Sequence, residues 1–170
     1  MAAGSRCINL PPGEIIFYQE KKSDAVHQLK TILGSCVAVT IWHAQSQVAG
    51  MCHYLLAQES EHTKVTQIMQ KYRFGEEALD YLLKKMLLLH PLNEYELALF
   101  GGSNMYPSLS SPSIGEINVN FAKKWAKKNN LVFSQEDTLG CHGRSVTLDL
   151  STGSITLNKY RNNKGGLGEH

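Results

Sequence analysis

The chain has 170 residues, 42% of them hydrophobic and 19% charged, with 17 basic and 15 acidic side chains and a formal net charge of +2. That length suits one domain with a substantial core rather than two, and the composition is that of a globular chain, not a disordered one. The near-balanced charge gives no reason to expect nucleic acid as a partner, and no run approaches the roughly 20 apolar residues that cross a bilayer.

The opening "MAAGSRCINLPPGE" lacks the apolar centre of a secretory signal, so a cytoplasmic, non-membrane-embedded protein is expected. There the four cysteines, Cys7, Cys36, Cys52 and Cys141, are expected to be reduced. Residues 1–9 read as a flexible N-terminus, 10–161 as a single domain and 162–170 as a flexible Gly- and Asn-rich tail.

Within the domain, Pro11-Pro12-Gly13 signals a turn and "EIIFY" (14–18) a short strand. "VAVTIWH" (37–43) and "VAGMCHYLL" (48–56) read as a hairpin around the polar "AQSQ". A charged loop over 58–70 leads to a helix over 74–89. There Ala78, Leu79, Leu82, Leu83, Met86 and Leu87 recur at i, i+3, i+4 spacing, acids lie early and lysines later, and Pro91 closes the segment.

"YELALF" (95–100) is a strand running into Gly101-Gly102, and a Ser/Pro/Gly loop separates it from a second amphipathic helix near 117–129. The strands "LVFSQE", "SVTLDL" and "SITLNKY" follow, the last two forming a hairpin across Ser151-Thr152-Gly153. Helices mixed with antiparallel hairpins argue against a doubly wound parallel sheet.

"LGSC" carries the chemistry. Gly34 permits a tight turn before Ser35-Cys36, so that successive backbone N–H groups can converge on one point. A cysteine there can attack a carbonyl while those N–H groups hold the resulting oxyanion, provided that a base supports the thiolate. Strand alternation puts His53 on one face with Met51 and Leu55, and Cys52 on the other. Across the hairpin His53 returns toward Cys36, whereas His43 lies at the turn.

Two other readings stand beside this one. Both residues could be ordinary packing, and a metal site could draw on Cys36, Cys52, His53, Cys141 and His142, although the spacing is not that of a tetrahedral zinc site and no C-x-x-C is present.

The stretches "LPPGEIIFY", "TILGSCVAVTIW", "AGMCHYLL", "LALFGGSNM", "IGEINV" and "EDTLGCHGRSVTLDLSTG", in that order from Leu10 to Gly153, resemble the CheD family of chemoreceptor glutamine deamidases. The resemblance implies a cysteine hydrolase that converts glutamines of methyl-accepting chemoreceptors to glutamate, and implies hydrolysis of glutamyl methyl esters as well. It implies an α/β fold of the α+β type, with packed mixed or antiparallel β-sheets flanked by helices, similar to the catalytic domain of cytotoxic necrotizing factor.

By motif match Cys36 is the nucleophile and His53 the base, Thr31 is the nearest candidate for a third member, and Gly34 and Ser35 give backbone support. No cofactor or metal is implied. The partners implied are chemoreceptor cytoplasmic helices and a CheC-type phosphatase, with Phe100, Gly101, Gly102 and Met105 as its contact. A regulatory module acting only through that partner is the alternative. Two departures from the family pattern are Cys52, where a small residue is common, and "LGCHGR" over 139–144. The 58–70 and 103–116 loops are expected to wall the substrate groove.

Overall fold

The computed structural model describes residues 6–19, 26–60, 71–105 and 111–161. Among these residues, nine strands form two face-packed sheets, and two α-helices lie outside one of them. The strands are β1 (Arg6–Asn9), β2 (Glu14–Gln19), β3 (Val26–Leu33), β4 (Val37–His43), β5 (Val48–Tyr54), β6 (Glu96–Gly101), β7 (Phe133–Thr138), β8 (His142–Asp149) and β9 (Ile155–Arg161). The helices are α1 (Gly75–Leu89) and α2 (Ile114–Lys128). One sheet has the order β1-β3-β8-β9 and the other β2-β5-β4-β6-β7. Among the described strands only the β1–β3 and β6–β7 pairs are parallel.

The middle of the molecule is set by β4 and β5, in which every residue is buried. Their near-continuous apolar runs suit strands covered on both faces. One face, with Val37, Val39, Cys52 and Tyr54, packs on Ala78, Leu79 and Leu82 of α1 and on Val119 and Ala122 of α2. The opposite face, with Ala38, Ala49 and Met51, meets Leu29, Leu33, Val146 and Leu148 of the four-stranded sheet. Each fully buried Leu, Val or Met contributes about 1.5–3 kcal/mol relative to exposure.

Three expectations change. Residues 6–9 are not a flexible terminus but strand β1, paired with β3, and Leu10 continues that pairing by donating its N–H to the Lys30 carbonyl at 2.7 Å. Strand β3 itself has no counterpart in the sequence reading. Helix α2 starts three residues earlier than expected, because Ser113 caps it: the Ser113 Oγ accepts from the Glu116 N–H at 3.2 Å, and the Ser113 N–H donates to the Glu116 carboxylate at 2.7 Å. The expected tail over 162–170 lies outside the described residues.

Candidate active site

Thr31 and His53 are in direct contact where the two sheets face each other, and Cys36 packs against the same inter-sheet cluster. Thr31 shares its face of β3 with Leu29 and Leu33, and all three are at most 2% exposed. His53, near the end of β5, is 1% exposed on the face that carries Met51 and Ala49. Its cross-strand partner on β4 is Ala38. Cys36 lies two residues before Ala38, and packs into the same inter-sheet cluster. Continued one residue past Val37, that register would set Cys36 diagonally across from His53, a relationship that in paired strands spans about 7–8 Å between backbones.

The Thr31 hydroxyl lies 2.8 Å from the Leu10 carbonyl and 2.8 Å from His53 Nδ1. A carbonyl has no proton to give, so the hydroxyl donates to Leu10 and its oxygen accepts from His53 Nδ1–H. That fixes the imidazole tautomer: Nδ1 carries the proton and Nε2 keeps its lone pair. Nε2 is buried with no hydrogen-bond partner among the described residues. Leu10 is placed for this by its own N–H bond to β3, and the Pro11-Pro12-Gly13 turn then carries the chain into the other sheet, where Gly13 N–H donates to the His53 carbonyl at 2.7 Å.

Burial pushes the His53 pKa down to about 4, against a smaller opposing effect of the Leu10 carbonyl. The imidazole is therefore neutral at neutral pH, the form a general base needs. Burial also raises the half-buried Cys36 thiol above its ordinary value, while its own backbone N–H acts in the opposite direction. Both the Cys36 thiol and the His53 imidazole are thus neutral at neutral pH.

The Cys36 loop is held through its carbonyls. Ser103 N–H donates to the Gly34 carbonyl at 2.9 Å, and Gly102 N–H to the Cys36 carbonyl at 2.8 Å. The Asn118 side-chain amide donates to the Ser35 carbonyl at 3.1 Å and to the Leu55 carbonyl at 2.8 Å. The close approach requires glycine at 101 and 102. Gly101 has φ +106°, and a Cβ there would lie 2.2 Å from the Cys36 oxygen; Gly102 has φ +70°, and its Cβ would lie 2.3 Å from Val119.

Beneath this loop Arg144, 3% exposed, donates to the Ser103 hydroxyl, to the Leu139 carbonyl at 2.8 Å and to Asp137 at 2.8 Å. Burial works against the Asp137 charge, but hydrogen bonds from Lys159 and Arg144 hold its carboxyl below the usual range. The buried cation is thus compensated.

A family model described as CheD chemotactic sensory transduction matches residues 55–159. A protein of Pseudomonas syringae pv. tomato named probable chemoreceptor glutamine deamidase CheD is 33% identical over 153 residues, covering 87% of this chain and 86% of that protein. The chain belongs to the CheD family. A Chromobacterium violaceum relative, named probable chemoreceptor glutamine deamidase CheD 1, is 34% identical and covers 86% of this chain and 78% of its own. One from Thermococcus kodakarensis, again named probable chemoreceptor glutamine deamidase CheD, is 33% identical over 78% of this chain and 82% of its own. The family-model match begins after His53, but an alignment spanning 87% of this chain necessarily includes Thr31, Cys36 and His53.

Other expected site residues of this CheD-family chain are placed differently. Phe100 is fully buried between the sheets, and Gly101 and Gly102 are buried under the Cys36 loop. These three are scaffold of the site rather than a surface for a partner; of the four residues expected there, only Met105 is partly exposed. Met105 lies over Gly34, with its Cγ 3.6 Å from where a Cβ would stand. Of the expected groove walls, residues 61–70 and 106–110 lie outside the described residues.

The Cys/His metal set is dispersed. Cys52 is fully buried on the helix side, where burial pushes its thiol up to about 12, and Cys141 is exposed just before β8, whose first residue is His142. A grouping of metal-ligand type among the described residues is instead His43, His90 and Glu94, at the far end of β4. The His43 and His90 rings stack nearly parallel, 3.9 Å apart, so their in-plane lone pairs do not converge on one ion. His43 Nδ1 accepts from Ser46 N–H, leaving Nε2–H to donate to Glu94 at 3.0 Å.

Sequence reasoning missed Leu10 as an acceptor, Ser103, Arg144 and Asn118. For Asn118 a signal was present. It is a polar residue on the buried stripe of α2, between Gly115 and Val119, and it is fully buried.

Proposed function

We propose that this chain is a chemoreceptor glutamine deamidase acting through a Cys36 thioester. The observation that carries the reading is the Thr31–His53 bond, which leaves Nε2 as a free base on the face that holds Cys36. The names of the relatives supply the substrate class.

In this reading His53 Nε2 takes the Cys36 thiol proton as sulfur attacks the glutamine side-chain carbonyl. The backbone N–H groups at Ser35 and Cys36, turned by Gly34, hold the tetrahedral oxyanion. The C–N bond breaks, the imidazolium returns its proton to the nitrogen, and ammonia leaves a γ-glutamyl thioester on Cys36. Water gives a proton to His53 and attacks the thioester, the C–S bond breaks, and the thiol is restored as glutamate departs. Thr31 keeps the imidazole in the required tautomer throughout. A glutamyl methyl ester enters the same cycle with methanol as the leaving group.

The unit that does this is a single domain running from β1 to β9, active in the cytoplasm. Among the described residues no helix is long and apolar enough to cross a membrane. The two packed sheets with α1 and α2 outside support a fold similar to the catalytic domain of cytotoxic necrotizing factor. A CheC-type phosphatase remains the partner in this reading, meeting the surface around Met105.

The test is mass spectrometry of a chemoreceptor cytoplasmic fragment incubated with the protein. Each hydrolysed amide adds about 1 Da, and the gain requires Cys36. A fragment left unchanged by wild-type protein, or changed equally by Cys36→Ala, would refute the reading.

A further inference from the structure

The Asn118 amide sits in an unusual place. It is fully buried one turn into α2, and its two N–H protons go to the carbonyls of Ser35 and Leu55. Leu55 directly follows β5 and lies opposite Cys36 in the continued β4–β5 register. One side chain therefore gathers the ends of the two strands that carry Cys36 and His53. The buried Tyr54 hydroxyl donates to the main-chain carbonyl of Asn118 at 2.6 Å, a bond that belongs to the helix turn and not to the side-chain amide.

The Ser35–Cys36 peptide is planar and trans, so its C=O and N–H point in opposite directions. Anchoring the Ser35 carbonyl on Asn118 turns the Cys36 N–H away from α2. That N–H bonds to no backbone carbonyl among the described residues. The flanking peptides are held by different donors, Ser103 N–H and Gly102 N–H, so the plane of this one peptide depends on Asn118.

We propose that Asn118 is a positioning residue for acyl transfer, which fixes the plane of the Ser35–Cys36 peptide and so aims the Cys36 N–H at the oxyanion. Both amide protons are already engaged, so Asn118 does not itself donate to the substrate. Its Oδ1 is buried without a partner among the described residues, so an aspartate there would set carboxylate oxygens against two carbonyls. The inference rests on the reading of Cys36 as an acyl-transfer nucleophile, and extends it to a residue outside the Thr31, Cys36 and His53 set.

Two reagents separate this role from a merely structural one, applied to full-length protein carrying Cys7→Ser and Cys141→Ser to remove the exposed thiols. With p-nitrophenyl acetate, Cys36 sulfur bonds to the acetyl carbon through a tetrahedral oxyanion, the bond to the aryl oxygen breaks, p-nitrophenoxide leaves and the thiol proton goes to His53. With iodoacetamide, sulfur displaces iodide from a saturated carbon, and no oxyanion forms.

Asn118→Ala and Asn118→Asp are expected to slow acylation at least tenfold, toward the roughly 10²–10³-fold loss typical of one missing oxyanion donor, with alkylation within about threefold of the parent. Tyr54→Phe, which removes a buried hydrogen bond at the same helix turn, is expected to lower thermal stability and leave both rates in place. Should either Asn118 variant fail to fold, Asn118→Ser replaces it, since a hydroxyl can hold only one of the two carbonyls.

Acylation and alkylation falling together, or neither falling, overturns the proposal. So does parent protein that is alkylated at Cys36 but never acylated. Neither reagent contains a receptor glutamine, so normal acylation with no ammonia from a receptor fragment removes the substrate reading alone.

Discussion

Thr31 and His53 belong to different sheets, and the 2.8 Å contact between the Thr31 hydroxyl and His53 Nδ1 ties the sheets together at the candidate site. Replacing Thr31 by valine keeps the shape and removes both the acceptor for Nδ1–H and the donor for the Leu10 carbonyl. The imidazole is then free to take the other tautomer, and kcat should fall by roughly 10–100-fold. The unpaired Leu10 carbonyl should cost a further 1–3 kcal/mol, approximately, in unfolding free energy. Thr31→Ser should recover most of both. Steady-state ammonia release and urea unfolding of the three proteins check this; Thr31→Val at wild-type kcat would remove Thr31 from the mechanism.

Removing the nucleophile gives a cleaner separation of chemistry from fold. Cys36 is half-buried and its side chain makes no hydrogen bond across the sheets among the described residues, so Cys36→Ala should keep the wild-type melting temperature within a few degrees. Its deamidation rate should drop by at least about 10³-fold, as when other cysteine or serine nucleophiles are deleted. Ammonia release that survives in Cys36→Ala would place the chemistry elsewhere.

Much of this site was legible in the sequence, and the illegible parts share a cause. Strand alternation separates Cys52 from His53, and the structure puts them in different cores. Strands β4 and β5 and helix α1 follow from local apolar pattern. Strand β3 does not, because at Thr31 the pattern inverts: the polar Thr31 points inward while Ile32 is 67% exposed. The residue that serves the site is the one that disguises its strand. Strand β1 is four residues long and stands by parallel pairing with β3, a non-local contact that periodicity does not encode. The early start of α2 was written in "SIGE", a capping-box pattern that precedes the apolar stripe.

The His53 pKa of about 4 has two consequences with definite signs. The base stays deprotonated well below pH 6.5, so the acidic limb of kcat/KM should fall near pH 4 to 5, not between 6 and 7. For stability, the unfolded chain binds a proton near pH 6.5 that the folded chain refuses until about pH 4. The His53 contribution is therefore present above pH 6.5 and is lost as pH falls through about 4, by an amount on the order of 3 kcal/mol. His53→Asn should flatten that part of the stability profile. Urea midpoints between pH 7 and 4 for the two proteins measure it, and parallel curves would show that His53 titrates normally.

The four cysteines should differ in reactivity in an order set by burial. Cys7 and Cys141 are exposed, Cys36 is half-buried, and Cys52 is fully buried with its thiol pushed up to about 12. Native labelling with iodoacetamide should modify Cys7 and Cys141 first and Cys36 next, faster as pH rises, and should spare Cys52 until the protein unfolds. Cys52→Ala should keep kcat and cost stability, by about 1–2 kcal/mol for a small buried side chain. Peptide mapping by mass spectrometry reads the order; early labelling of Cys52 would mean that the helix-side core opens in the native state.

Gly101 gives the most direct test of how the Cys36 loop is held. Its φ of +106° lies where a side chain is strained, and a Cβ would sit 2.2 Å from the Cys36 carbonyl oxygen. Strain alone predicts about 1–3 kcal/mol of destabilisation for Gly101→Ala. The overlap adds a displacement of Cys36, because the contact is with backbone and cannot be relieved by a rotamer change. Gly153→Ala is the comparison: its φ is +72° and its Cβ would meet Trp42, far along β4 from Cys36. Both variants should melt earlier than wild type, but only Gly101→Ala should also lower ammonia release by folded protein and change the Cys36 alkylation rate. Equal effects of the two on Cys36 would mean that the loop responds to global stability rather than to the packing of Gly101 against the Cys36 carbonyl.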